Sequence, residues 1–283
     1  MLTINLFNGL TYGALLIVMC SGLALIYGLR RVVNFAHGSL YMLGAYIGYS
    51  IAGHSNFWVA LIVAPTIMAV LGVLLDRYGF RLLQDRDPLT VVLVTFGLLL
   101  VIEDFVQTVW GKSNLSVQAP AALNFSVDLF GTPVPAYRIA VIAVGLCVAV
   151  GLSLWLRFSK VGLFVRASST DPTTTAMQGV NTDALSAGVV GLGTALAGLA
   201  GIVAAPFLSL SPSMSSDVII DSFVVVVVGG LGSLAGAFVA AMALGMVQSL
   251  GAVYLPDLSA ILPFVIMVFI LIWKPAGFAG SRT

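Results

Sequence analysis

The stretch GLRRVVNFAHGSLYMLGAYIGYS, residues 28–50, interrupts an apolar sequence with two arginines, an asparagine and a histidine, then resumes an apolar run punctuated by glycines. Polar groups inside a membrane segment are costly unless partnered, so they face the protein interior or a wet cavity. Asn34, His37 and Ser39 also stand where a helix starts, and a side chain there can satisfy orphan backbone N–H groups. For Asn34 and Ser39, capping and lining of a transport path are both open. His37 is harder to assign to capping and is taken as a pathway residue with Asn34 and Ser39, although a lone histidine is more often a packing residue; neither a second His nor a Cys lies close in sequence to complete a metal set. Gly44 and Gly48 have the small-xxx-small spacing that lets two helix backbones approach closely in lipid.

Outward from this stretch, the composition names the solvent. Of 283 residues 60% are hydrophobic and 8% charged, at a mean hydropathy of +1.10, where a soluble domain carries roughly a quarter charged residues. A soluble fold this size could not hide so much apolar surface, because its exterior must be wettable. The net charge of +1 argues against nucleic acid, which needs clustered Lys and Arg. The N-terminal run has no basic residue before Arg30 and no A-x-A site, so it reads as a retained helix rather than a signal peptide. Cys20 and Cys147 lie in apolar runs and read as small buried hydrophobes.

A membrane-spanning helix needs about 20 mostly apolar residues. Runs at 5–28, 33–53, 57–75, 89–109, 137–156, 184–205, 232–250 and 258–273 meet that need. The expected fold is an all-α polytopic bundle of about eight spans plus a re-entrant or broken helix, forming one membrane domain over 1–283. The broken element is DVIIDSFVVVVVGGLGSLAGAFVAAMALG, residues 217–245, with its break at Gly229 and Gly230 and with Ser233 just beyond. A broken helix at membrane depth is tolerated where its freed backbone faces protein or a wet cavity, which makes Gly229, Gly230 and Ser233 pathway residues by expectation. Gly9 with Gly13, Gly232 with Gly236, and the nearly continuous small-residue face of 187–205 extend the close-packing signal. HGSLYMLGAYIGY (37–49) and LGSLAGAFVAAM (231–242) share a weak similarity of the kind that internal repeats leave.

Arg30 and Arg31, the Arg77–Arg86 and Arg157–Arg166 connections, and Lys274 with Arg282 fall on one side if only Lys112 and Arg138 lie opposite. By the positive-inside rule that side, with the C-terminus, is cytoplasmic. Residues 110–136, rich in Pro, Asn and Ser, then form an irregular external loop. The GKS at 111–113 is no nucleotide-binding loop, since Val106 stands where that motif requires glycine. The sequons at Asn114 and Asn124 are chance matches. Glu103 and Asp104 lie near the outer end of a span and read as interfacial. The inner loop 157–183 contains Asp171 to cap, Pro172 at the first helical position and Gly179 at the stop. That specifies a helix of about two turns, too short to be stable alone and therefore docked.

GLALIYGLRRVVNFAHGSLYMLGAY, TALAGLAGIVAA and VVVVVGGLGSLAGAFVAA together resemble the permease subunits of branched-chain amino-acid ABC importers, in order and spacing over essentially the whole chain. The resemblance implies half of a translocation path in a bacterial cytoplasmic (inner) membrane. Its implied partners are a second related permease, taken as a heterodimer partner, two cytoplasmic ATPases holding ATP and Mg, and an external binding protein. No cofactor or metal is expected on this chain, and no enzyme activity. Residues Asp171, Pro172, Thr174, Ala176, Met177 and Gly179 would belong to the coupling helix that enters a cleft of the ATPase. The Glu-Ala-Ala-x-x-x-Gly pattern of many importers meets Thr173, Thr174 and Thr175 here, leaving Gly179 as its match. Similar permeases accept amides, urea or small aromatic acids. The competing readings are an ion-coupled carrier using Glu103, Asp104 and His37, and a membrane enzyme, for which no His, Asp and Ser constellation is present.

Overall fold

The computed structural model describes residues 2–31, 34–84, 86–129 and 131–279; Arg282, counted above among the basic residues, lies outside them. The helices are α1 (Leu2–Arg30), α2 (Ala36–His54), α3 (Phe57–Tyr78), α4 (Pro88–Trp110), α5 (Ala136–Phe158), α6 (Lys160–Thr170), α7 (Pro172–Met177), α8 (Thr182–Ala204), α9 (Met214–Gly229), α10 (Leu234–Tyr254) and α11 (Leu262–Trp273). Six of them (α1, α3, α4, α5, α8 and α10) are long and apolar enough to cross a membrane. Helices α2, α9 and α11, of 19, 16 and 12 residues, lie alongside these. The protein is a polytopic helical bundle.

Three helices make the centre. α1 is buried from Gly13 through Ile26, α2 from Ala36 through Tyr46, and α8 over most of its second half. Glycine is what brings them together. A Cβ on Gly44 would collide with the backbone of Gly198, one on Gly22 with the Gly193 carbonyl, and one on Gly201 with the Tyr41 carbonyl. Side chains were removed at the crossings, and dispersion between backbones replaces a hydrophobic drive that lipid does not supply. The Gly9–Gly13 pair does the same for α1 against α10, where Met242, Gly245 and Met246 sit. Around this centre α3, α4, α5 and α11 turn apolar side chains outward, among them Ile62, Val101, Val150 and Phe269. Their outward faces are apolar because their solvent is lipid, as expected of a multi-pass membrane protein.

Several expectations change. Gly232 and Gly236 do not share a helix face: Gly232 has φ +84° and lies in the α9–α10 connection, while Gly236 rests on the Gly229 carbonyl of its own hairpin. The loop 110–136 is not wholly irregular, for strands β1 (Ser126–Leu129) and β2 (Thr132–Pro135) pair antiparallel in it, and Leu115 exchanges backbone bonds with Leu210 at 3.0 and 2.8 Å. Prolines hid these strands, yet Pro133 and Pro135 are tolerable on an unaccompanied edge. The inner loop contains a second helix, α6, which Ser159 caps by accepting from the Gly162 N–H at 2.8 Å. Cys20 is buried as expected, whereas Cys147 is exposed on α5.

Replacing Gly44 with valine should destabilise the detergent-solubilised protein by about 1–3 kcal/mol, the range for overpacking a filled interior. Gly97→Ala, at a position with open space around it, should leave the thermal unfolding midpoint unchanged or raise it.

Candidate functional site

The residues expected at the start of α2 are all inside the bundle. Asn34 uses Oδ1 to accept from the Ala36 N–H at 3.0 Å, the capping role, and its own carbonyl accepts from the His37 N–H at 3.2 Å. Ser39 does not cap; its hydroxyl donates back to the Ala36 carbonyl at 2.9 Å. His37 is fully buried against Gly22, and its Nε2–H donates to the Met19 carbonyl at 3.1 Å, tying α2 to α1. Glu103 instead accepts from the Ser215 and Ser216 hydroxyls at the start of α9. Among the described residues no hydrogen bond links Glu103 or Asp104 to His37, the three groups on which a proton-coupled reading relies.

The break expected at Gly229 and Gly230 is present, and its chemistry is specific. Gly230 has φ +101°, a conformation glycine adopts freely and other residues do not. Ser233 then caps α10 by accepting from the Gly236 N–H at 3.1 Å. The carbonyls freed at the end of α9 meet protein rather than water: the Phe278 N–H donates to Val228 at 2.9 Å and the Ala279 N–H to Gly229 at 3.1 Å. The C-terminal segment reaches them because Gly277, at φ +75°, lies flat on Gly230. A cavity of about 600 Å³ joins this break to the rest of the same end of the bundle. Tyr27 and Arg31 line it from α1, Ser169 and Thr170 from α6, Leu231 and Gly232 from the break, and Pro275 from the C-terminal segment.

The inner helix forms as its caps dictate. Asp171 Oδ1 accepts from the Thr174 N–H at 3.0 Å and Oδ2 from the Thr174 hydroxyl. The Thr174 hydroxyl first, then its N–H, holds the Asp171 carboxyl below the usual carboxylate range. Pro172 occupies the first turn, and Gly179, at φ +86°, closes the helix by donating to the Ala176 carbonyl at 2.9 Å. Thr175 is the inward anchor, its hydroxyl on the Asp171 carbonyl at 2.7 Å, while Thr174, Ala176 and Met177 are exposed, Met177 at 81%. One further bond ties this corner to the bundle: the Arg31 guanidinium donates to the Ser169 carbonyl at 3.0 Å, and Arg31 takes φ +54°.

Two polar clusters escaped the reading of the sequence. Tyr12 of α1 and Gln248 of α10 both donate to the Asp221 carboxylate of α9, at 2.5 and 2.9 Å. Arg30 of α1 pairs with buried Asp76 of α3 at 2.6 Å, and Ser186 of α8 donates to the same oxygen at 3.1 Å. A signal was available for the first, since Asp217 and Asp221 stand four apart in an apolar run.

A family profile described as branched-chain amino acid transport system / permease component matches residues 5–271. The chain belongs to this permease family. Among similar proteins, the high-affinity branched-chain amino acid transport system permease protein LivH of Salmonella typhimurium is 25% identical, over 98% of this chain and 94% of its own. BraD of Pseudomonas aeruginosa, a permease protein of the same description, is 24% identical over 98% and 95%. A probable LivH permease of Methanocaldococcus jannaschii is 25% identical over 96% and 91%. No solved structure matches the chain.

Two outcomes test this geometry. Gly277→Leu places a side chain 2.6 Å from the Gly230 backbone and should release the C-terminal segment. Amide exchange at Phe278 and Ala279 should then quicken by at least about tenfold, since those N–H groups lose their acceptors. For Asp171 the sign is that of a depressed carboxylate: its contribution to α7 is complete at neutral pH and disappears only as pH falls through the lowered value. Asp171→Asn keeps the acceptor and should remove that acid sensitivity, read by helix-specific exchange between pH 7 and about pH 3.

Proposed function

We propose that this chain forms half of the translocation path of an ATP-driven importer for branched-chain amino acids, moved by ATPase subunits that grip α7. The observation that carries the reading is the construction of α7. A six-residue helix is too short to persist alone, yet this one is capped at both ends and anchored by Thr175. It leaves Thr174, Ala176 and Met177 free. So exposed a methionine suits an apolar cleft on another protein, and methionine adapts to such surfaces. With threonines where many importers have glutamate, the contact rests on shape and backbone. Asp171, Pro172 and Gly179 set the shape.

The relatives' names supply the substrate class, branched-chain amino acids, and the cargo is selected by an external binding protein. ATP and Mg belong to the ATPases, whose closure displaces α7. The path itself runs between this chain and a sister permease in a heterodimer, with the α7 side and the C-terminus cytoplasmic. Two features support placing it along α9. Asp217 is exposed in the first turn of α9 together with Ser216 and Ile220, and a carboxylate there needs a wet or protein partner rather than lipid. The Gly229–Ser233 break, which ends α9, and the Asn34–Ser39 turn, whose Gly38 lies against Ser215 and Ile219, form the joints at which the gate changes shape.

The test uses the assembled complex of both permeases, the ATPases and the binding protein in liposomes. Met177→Arg should leave the folding of this chain unaltered and lower both uptake and binding-protein-stimulated ATP hydrolysis by at least about tenfold, as loss of an interface anchor does. Wild-type coupling in that variant would remove α7 from the contact. Uptake by this chain alone under an ion gradient would instead establish the carrier reading.

A further inference from the structure

Where α1 ends and α3 turns into α4, the chain encloses a cavity of about 70 Å³, walled by Arg30, Asn34, Gln84, Arg86, Val91 and Thr95. Among the described residues its charged lining is wholly cationic. Arg30 gives one N–H group to Asp76, but its Nε and Nη1 are buried with no acceptor among the described residues. Asn34 shares that condition. Because its Oδ1 is committed to the Ala36 N–H, the orientation of the amide is settled, and Nδ2 remains buried and unpaired on a residue only 5% exposed. Thr95 does not take these donors: its hydroxyl accepts from the Phe35 N–H at 3.3 Å and donates to the Val92 carbonyl at 3.0 Å, and Arg30 Nε, Arg30 Nη1 and Asn34 Nδ2 stay without an acceptor among the described residues.

Buried donors without acceptors are rare in native proteins and mark an unseen partner. Water could accept from them, and the volume suffices for it. Water would not balance the charge, because Asp76 pairs with Arg30 while Arg86 has no carboxylate partner among the described residues. An oxyanion does both, and Arg guanidinium is matched to phosphate in geometry as well as charge. The rest of the lining is apolar, with Phe80 and Leu83 among it, and the adjoining Tyr78, Leu82 and Leu89 are exposed. Exposed apolar side chains beside arginines at a helix end are the composition of a membrane interface.

We propose that this cavity holds the phosphate group of an anionic phospholipid, the phosphate oxygens taking the free N–H groups of Arg30 and Asn34 with Arg86 at the entrance. The full chain in phosphatidylcholine nanodiscs, titrated with phosphatidylglycerol, tests it by the thermal unfolding midpoint. Wild type should show a saturable rise, as a ligand that binds only the folded state produces. Arg86→Gln should need at least about tenfold more phosphatidylglycerol, the loss of one charge-assisted contact. Asn34→Asp keeps the cap on Ala36 and supplies an internal acceptor and negative charge, so its response should be lost. If Asn34→Asp does not fold, the exposed Arg86→Gln decides alone. A parallel titration with inorganic phosphate separates the sources: a rise with phosphate and none with the lipid, again lost in the variants, overturns the lipid as occupant. The same response in all three proteins, or none in wild type, overturns the site.

Discussion

At Gly44 and Gly198 the backbones of α2 and α8 meet with no side chain between them, and much of the bundle is arranged around that contact and its neighbours. In lipid there is no gain from merely removing apolar surface from water, so helix association depends on how closely the helices can pack. α8 meets this requirement on several sides at once, against α1 through Gly193, α2 through Gly198 and Gly201, and α3 through Gly191. The consequence is a core that does not deform smoothly. Two backbones in contact can separate or stay, but have no compressible layer between them.

The second constraint is that backbone polar groups at membrane depth must be satisfied by protein. The α9–α10 break would expose carbonyls, and the chain's own C-terminal segment caps them. A soluble protein could leave such groups to water. Here the terminus becomes part of the interior, so Gly277, far from the break in sequence, is as much a part of it as Gly230. The same constraint acts at Arg30, whose charge is met by Asp76, itself held by the Ser186 hydroxyl, where an unpaired guanidinium would be costly.

These two constraints explain what could be read from the sequence. Close packing leaves a local mark, small residues at helical spacing, so Gly9, Gly13, Gly44 and the 187–205 face were visible, as was the break at paired glycines. The caps of α7 were legible for the same reason, since Asp171, Pro172 and Gly179 act within one or two turns. Contacts between distant segments leave no such mark. Nothing near Asp221 announces Tyr12 or Gln248, nothing near Gly277 announces Gly229, and Arg31 gives no sign of Ser169. Gly232 misled because its spacing to Gly236 is helical while its backbone is not. The β-hairpin was masked by Pro133 and Pro135, and α6 by its position in a charged connection.

The distribution of rigid and yielding parts bears on how force could cross the chain. The Arg31–Ser169 bond fastens the α6–α7 corner to the end of α1, and Thr175 holds α7 to its own cap at Asp171. α1 itself is locked by glycine contacts to α8 and α10, so a push on α7 cannot be absorbed by bending at its middle. In the proposed mechanism it would emerge where the backbone already departs from helix: at Arg31, in a left-handed conformation that a non-glycine residue holds at a cost, and at Gly230. Both border the 600 Å³ cavity or the break that lines it. In the proposed importer that space would let the two joints move without first disrupting the packed centre, at the same end of the bundle as the helix that an ATPase would grip.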